Sequence, residues 1–210
     1  MYIFCGDVMN ENQYIEKLNI RDEIFPELYQ YAKENRVPII DSDALNIVKN
    51  FIKLKSVKSI LEVGTAIGYS GLHMLSVSDD IQLTTIELNE ASYKIANENF
   101  NTYKVQDRVT HIHGDAKEVS VNGKFDMIFI DASKGNNLLF LEKYKPLLNP
   151  GGFIIVDNIL LRGLIVQETI DNKNKRKLKE KVDRFNHYVK ENFDHTMYFN
   201  VGDGLLVITV

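Results

Sequence analysis

Tryptophan is absent from this chain, and cysteine occurs once, at Cys5. A single cysteine excludes an internal disulfide and fits a reducing compartment. Cys5 has no obvious histidine partner in sequence, so a nucleophilic role is not expected of it. No apolar run approaches the ~20 residues of a membrane span. The start, MYIFCGDVMN, lacks the basic region and long apolar core of a secretory signal. A cytoplasmic location without a membrane partner is therefore expected. Positive charge is not in excess: 25 Lys and Arg against 29 Asp and Glu leave a net charge of −4. That balance argues against general nucleic-acid affinity, though not against a local basic patch. Internal repeats, linkers and low-complexity stretches are missing too, and 210 residues fit one domain with a sizeable core.

Two phosphate-binding signatures also fail. The dinucleotide fingerprint G-x-G-x-x-G, read from Gly64, meets Ala66 and Tyr69 at its other glycine positions. The loop GxxxxGK[ST] does not occur. What stands there is Ile60–Gly71, ILEVGTAIGYSG, an apolar strand entering a turn with Gly64 and Gly68 and then a helix. Such a turn lets a ligand approach the backbone, and the helix start offers free N–H groups. A second apolar strand, Ile81–Ile86, ends in Glu87, where an acid can accept hydrogen bonds from a ribose. Glu62, just before the turn, would repel a pyrophosphate and suits a cationic ligand. S-adenosyl-L-methionine, with its sulfonium and ammonium, is such a nucleoside.

The rest of the chain alternates. Residues 11–35 read as helix with a break or kink at Pro26. Pro38 keeps Val37–Ile40 extended, and Asp41 or Ser42 caps a helix to about Lys55. Strands are expected at 57–63, 81–87, 108–113, 125–130 and 152–157, with helices at 69–77, 90–101 and 137–148. This order implies βαβ units and a parallel sheet. FDMIFI and GGFIIV are nearly continuous apolar runs, as strands buried on both faces should be. The segment Asn149-Pro150-Gly151-Gly152 stops a helix and starts a strand. Residues 172–192 read as a long charged helix with Leu178, Val182, Phe185 and Val189 on one stripe. Tyr198–Val201 and Leu205–Val210 form a closing hairpin.

Parallel sheets bind ligands at the carboxyl ends of their strands. Here those ends carry acids: Glu62, Glu87, Asp131, Asp157 with Asn158, and Asp115 after His113-Gly114. A single acid at a strand end is often a helix cap; several on one edge point to a site. Asp131, Asp157 and Asn158 supply three hard oxygen ligands, which suits Mg²⁺ (or Mn²⁺) with positions left for water and substrate. Lys134 can sit over the same spot and act as a base. His111 and His113 share a strand face, but without a cysteine or further histidine nearby they do not make a zinc site.

EVGTAIGYS, IDASKGN, LNPGG, VDN and the terminal VGDGL, in that order, resemble the cation-dependent, S-adenosylmethionine-dependent O-methyltransferases. This is the family of catechol and caffeoyl-CoA O-methyltransferases and their short bacterial relatives. The resemblance runs from about Val37 to the C-terminus. It implies an α/β fold: one Rossmann-like class I methyltransferase domain over 1–210, with a helical cap region at 1–55. The implied sheet has seven strands, mostly parallel, with helices on both faces and an antiparallel C-terminal hairpin. It also implies that Ile40, Gly64, Ser70, Glu87, Asp115, Ala116 and Asp131 serve the methyl donor, Glu87 at the ribose and Asp115-Ala116 at the adenine; Glu62 is expected to join them by its charge. Asp131, Asp157 and Asn158 match the metal ligands and Lys134 the catalytic lysine, acting with Asp131. A homodimer is implied as well. The chain departs from the family in carrying Gly135-Asn136-Asn137 where members often have an aromatic residue. It also lacks the tryptophan that some members set against the substrate.

Lys173, Lys175, Arg176, Lys177, Lys179, Lys181 and Arg184 crowd the late helix, and the loop Leu160–Gly163 adds Arg162. A solvated helix face is one reading of this charge; phosphate contact beside the site is the other. The short bacterial relatives include tRNA 5-hydroxyuridine methyltransferases, which this chain resembles in its loop and C-terminal elements. In 5-hydroxyuridine the 5-hydroxyl and 4-oxo groups are vicinal and can chelate Mg²⁺ as a catechol does. The expected acceptor is thus an anticodon-loop base of tRNA, giving 5-methoxyuridine at the wobble position. A small catechol-like phenol is the alternative, and a non-catalytic nucleotide-binding protein the third reading.

Overall fold

The computed structural model describes residues 10–19 and 23–210. Cys5 lies outside the described residues, and so do positions 20–22 of the first expected helix.

The apolar run after Val57 forms the central strand β1 (Ser59–Val63). It pairs in parallel with β2 (Gln82–Glu87) on one side and β4 (Phe125–Ile130) on the other. β3 (Val109–His113) extends the sheet beyond β2, and β5 (Leu148–Asp157) lies parallel beside β4. β6 (Thr196–Phe199) and β7 (Leu205–Thr209) close it as an antiparallel pair, β7 also running antiparallel to β5. The order is β3-β2-β1-β4-β5-β7-β6. The seven-stranded, mostly parallel sheet with its terminal antiparallel pair is the architecture expected from the sequence.

Alternation along the strands splits the core into two layers. Ile60, Met127, Phe129, Phe153 and Ile155 face α2 (Pro26–Glu34), α3 (Ser42–Leu54), α4 (Tyr69–Leu75) and α5 (Glu90–Thr102). Leu61, Val63, Ile128, Ile130 and Ile154 face α6 (Asn137–Tyr144) and α7 (Lys173–Asn192). The α7 stripe buries Val182, Phe185 and Val189, while Leu178 stays half-buried. Asp41 caps α3 by accepting from the Asp43 and Ala44 N–H groups. None of the described helices is long and apolar enough to cross a membrane.

The helical stretch is broken before Pro26, which begins α2, because a first-turn proline gives up an N–H that the helix does not use; α1 (Glu11–Asn19) is separate. Two boundaries differ from expectation. Helix α6 stops at Tyr144, and a 3-10 turn over Lys145–Leu147 holds Pro146. Strand β5 then begins at Leu148, so Asn149–Gly152 lies inside it, opposite a register shift between Phe125 and Met127.

Glu62 points from β1 into the protein and is 0% exposed. Its Oε1 accepts from Ser70 Oγ at 2.5 Å and its Oε2 from Thr85 Oγ1 at 2.6 Å. Burial outweighs those hydrogen bonds and raises the Glu62 carboxyl to about 7. Below pH 4.5 the residue is protonated in both folded and unfolded chains. As pH rises from there to about 7, the unfolded chain releases a proton that the folded one retains, and stability falls. Between pH 4.5 and pH 8 the wild type should therefore lose about 3 kcal/mol more stability than Glu62→Gln. Urea midpoints of the two proteins across that range measure the difference.

Candidate active site

A cavity of about 1000 Å³ opens at the carboxyl ends of β1, β2, β4 and β5, roofed by Val37–Ile40. Ile40, Gly64, Ser70, Glu87, Asp115, Ala116, Asp131, Lys134, Asp157 and Asn158 all line it. Residues expected from separate stretches of sequence thus meet in one space. Glu62 is the exception. It is fully buried, outside the cavity lining, and both carboxylate oxygens accept from hydroxyls, so it supports Ser70.

The glycine turn is built tightly. Gly64 has φ +106, and a Cβ there would meet the Asp131 carbonyl oxygen at 2.5 Å. Its missing side chain is therefore required by the end of β4, whereas the sequence suggested the approach of a ligand. A Cβ on Gly68 (φ +84) would stand 3.0 Å from the Phe100 ring. Beside the turn, Glu87 Oε2 accepts from the Ala66 N–H and Oε1 from the Asn89 N–H, each at 2.8 Å. Two backbone donors aim this carboxylate into the cavity and leave lone pairs for further donors. Asp115 holds its own turn, accepting from the Lys117 N–H at 2.9 Å and pairing with Lys117 Nζ at 3.0 Å.

At the other end the buried carboxylate of Asp157 and the half-buried one of Asp131 converge. Burial first, and then the charge of Asp157, push the Asp131 carboxyl well above the carboxylate range. Burial raises Asp157 to about 6, against the hydrogen bond from the Asn158 N–H. Asn158 Nδ2 donates to Asp131 Oδ1 at 2.7 Å. Two acids held this way, with an amide between them, are the donor set that a hard divalent cation would relieve of repulsion. Among the described residues, no three or more His, Cys, Asp or Glu side chains group as a metal site. The convergence is two carboxylates and one amide.

Asp203 was not anticipated as a site residue. Its signal, Gly202-Asp203-Gly204, reads as a hairpin turn, and only the tertiary fold carries it to the cavity. Asp203 Oδ2 lies 3.4 Å from Lys134 Nζ, and Oδ1 accepts from the Arg162 N–H. The Asp203 and Gly204 carbonyls accept from the Leu160 and Ile159 N–H groups. These bonds hold a strained loop, in which Asn158 (φ +66), Leu161 (φ +53) and Arg162 (φ +52) are left-handed. Arg162 reaches the cavity wall.

His111 and His113 do not form a ligand pair. His111 Nδ1 lies 2.9 Å from Asn97 Oδ1, and the Tyr93 ring packs against both imidazoles. Of the basic late helix, Lys181 approaches the site, with its Cδ 3.3 Å from where a Gly135 Cβ would stand. Lys179 turns instead to the Gln167 carbonyl, and Lys173, Lys175, Arg176 and Lys177 are exposed.

Residues 16–209 match the family model described as O-methyltransferase. The O-methyltransferase imqG of Aspergillus flavus is 31% identical over 75% of this chain and 70% of its own length. The catechol O-methyltransferase of Mycobacterium tuberculosis is 30% identical, over 54% of each chain. Among solved structures, a Staphylococcus aureus protein assigned provisionally as a caffeoyl-CoA O-methyltransferase superposes with a TM-score of 0.87 at 37% identity. That superposition covers 94% of this chain and 97% of the other. A Bacillus cereus O-methyltransferase in complex with SAH superposes at 0.77 with 25% identity, over 94% and 96%.

The Asp203 bridge makes a local prediction. Asp203→Ala should speed amide exchange at Leu160 and Arg162 by about tenfold or more, while the β5 amides keep their protection. Residue-resolved hydrogen exchange measures both.

Proposed function

The chain belongs to the O-methyltransferase family, and from that premise we propose that it transfers a methyl group from S-adenosyl-L-methionine to a hydroxyl oxygen held beside Asp131, Asp157 and Asn158. The observation that carries the reading is the single cavity joining the Glu87 carboxylate at one end to the paired aspartates at the other. Glu87, already aimed by two backbone N–H groups, accepts the ribose hydroxyls. Asp115 and Ala116 flank the adenine, Asp115 accepting from its amino group. Ser70, held by Glu62, and the Gly64–Ala66 backbone receive the amino-acid end. The SAH-bound Bacillus cereus relative supports this donor.

Asp131, Asp157 and the Asn158 amide oxygen would hold Mg²⁺, or Mn²⁺ in its place. A divalent cation there supplies Lewis-acid polarisation of the acceptor hydroxyl. Lys134 Nζ, once its own proton has passed to solvent, takes that hydroxyl's proton, and Asp203, 3.4 Å away, steadies the ammonium that results. The cavity holds the acceptor oxygen in line with the methyl–sulfur bond, so positioning supplies much of the rate.

For the acceptor we favour 5-hydroxyuridine in the anticodon loop of tRNA. The supporting observation is the run of cations from Lys173 to Arg184, with Lys181 against Gly135 and Arg162 on the cavity wall. A loop base can be splayed into a pocket while such cations meet the backbone phosphates. A small catechol-like phenol is the second reading, favoured by the catechol O-methyltransferase among the relatives.

Glu87→Ala should weaken SAH binding by about 2 kcal/mol, the loss of charge-assisted hydrogen bonds, as measured by calorimetry. Unchanged affinity would remove Glu87 from the donor site. Activity should vanish in EDTA and return with Mg²⁺ or Mn²⁺, and Asp157→Ala should abolish turnover while sparing SAH binding. Full activity with metal verified absent contradicts the metal role. Neutralising Lys175, Arg176 and Lys181 should raise KM for hydroxyuridine-containing tRNA and lower the salt slope of binding by roughly one unit per lost contact. If the enzyme ignores that tRNA but methylates a simple catechol, the phenol reading replaces the tRNA one.

A further inference from the structure

Helix α6 carries Phe140, Lys143 and Tyr144 at i, i+3 and i+4, on one face. Phe140 lines the cavity next to Asp115 and Ala116. The Lys143 ammonium hydrogen-bonds to backbone carbonyls. Its Nζ donates to the Ala116 carbonyl at 2.9 Å and to the Lys117 carbonyl at 2.7 Å. The buried Tyr144 hydroxyl donates to the same Ala116 carbonyl at 2.6 Å. One carbonyl of a cavity-lining residue therefore receives two side-chain donors from adjacent positions of one helix. The turn they grip is otherwise held by bonds inside residues 115–119, with the Glu118 and Val119 N–H groups donating to the Asp115 carbonyl. At its start the Gly114 N–H donates to the Glu87 carbonyl at 2.9 Å, and α6 ties its other side.

The charge has a second effect. The Lys117 N–H chiefly, then the ammonium groups of Lys117 and Lys143, hold the Asp115 carboxyl below its usual range. An acid kept ionised there is an acceptor only, suited to an amino group and unsuited to an oxo group.

We infer that the α6 face of Phe140, Lys143 and Tyr144 sets the adenine end of the donor site, with Lys143 as the positioning residue that fixes the Asp115–Lys117 turn for recognition of the exocyclic amino group. This inference rests on the donor reading above. Phe140 supplies the wall, Lys143 and Tyr144 fix the turn by its carbonyls, and Asp115 presents its carboxylate at a set depth. Lys143 touches neither the reacting atoms nor the acceptor.

The test is calorimetry with S-adenosylhomocysteine and with S-inosylhomocysteine, whose base carries an oxo group in place of the amino group. Wild type should prefer the adenosyl compound. Lys143→Met should weaken S-adenosylhomocysteine binding by about tenfold, the expected scale for hydrogen bonds from a charged donor. It should also narrow the preference over the inosyl compound, which mere loosening of the fold would not do. Lys143→Arg should restore most of both, and Tyr144→Phe should weaken binding to a lesser degree. In turnover the Lys143→Met loss should fall on the donor KM more than on kcat. Lys143→Met binding both compounds as wild type does would overturn the inference and leave the donor reading standing. Wild type failing to bind S-adenosylhomocysteine would overturn the donor reading, and the inference with it.

Discussion

At the end of β1 the chain has to turn between two neighbouring strands that both claim its backbone. The Gly64 N–H donates to the Ile86 carbonyl of β2, and the Asp131 N–H, just past β4, donates to the Val63 carbonyl. The Asp131 carbonyl then occupies the space where a side chain on residue 64 would project. The rest of the site hangs on this close packing. It sets the glycine turn and Glu87 on one side and the paired aspartates on the other, with Asp131 at the seam. In methyl transfer the acceptor oxygen must line up with the methyl–sulfur bond and close on the methyl carbon, so a rigid seam between the two halves is what the reaction asks of the fold.

The site costs stability. Glu62 and Asp157 are buried and Asp131 half-buried, and the protein disfavours the charged form of each, chiefly through lost hydration. Each charge also raises the cost of another: Asp157 and Glu62 act on Asp131, and Asp203 on Asp157. Lys134 offsets part of this. Hydroxyl bonds to Glu62 and the amide of Asn158 offset more. Such a cluster is poor core packing and a good place for a cation. The left-handed backbone at Asn158, Leu161 and Arg162 is a further local cost, borne where Asp203 can hold it.

Much of this arrangement was legible in the sequence because parallel sheets bring strand ends to one edge. Glu87, Asp131, Asp157 and Asn158 each follow an apolar run, and the rule for strand ends places them together without any side-chain geometry. The same rule does not tell a side chain that lines the cavity from one turned inward, as Glu62 is. That choice depends on Ser70 and Thr85 meeting its two oxygens. Asp203 and the Lys143 contacts were out of reach for another reason. They link segments 69 and about 26 residues apart, and hairpin or helix chemistry explains those residues locally well enough. The expected helix at 137–148 begins where α6 does, and only its end differs, because the apolar pattern runs on past Tyr144 and Pro146 decides the end.

The central claim is that Asp131, Asp157 and Asn158 hold a divalent cation at the seam. Electron paramagnetic resonance of Mn²⁺ titrated into the protein tests it without reference to any acceptor. The account predicts one bound Mn²⁺ per chain, displaced by Mg²⁺ and lost in Asp157→Ala. Free Mn²⁺ signal throughout the titration of the folded wild type, or binding that survives Asp157→Ala unchanged, would contradict it.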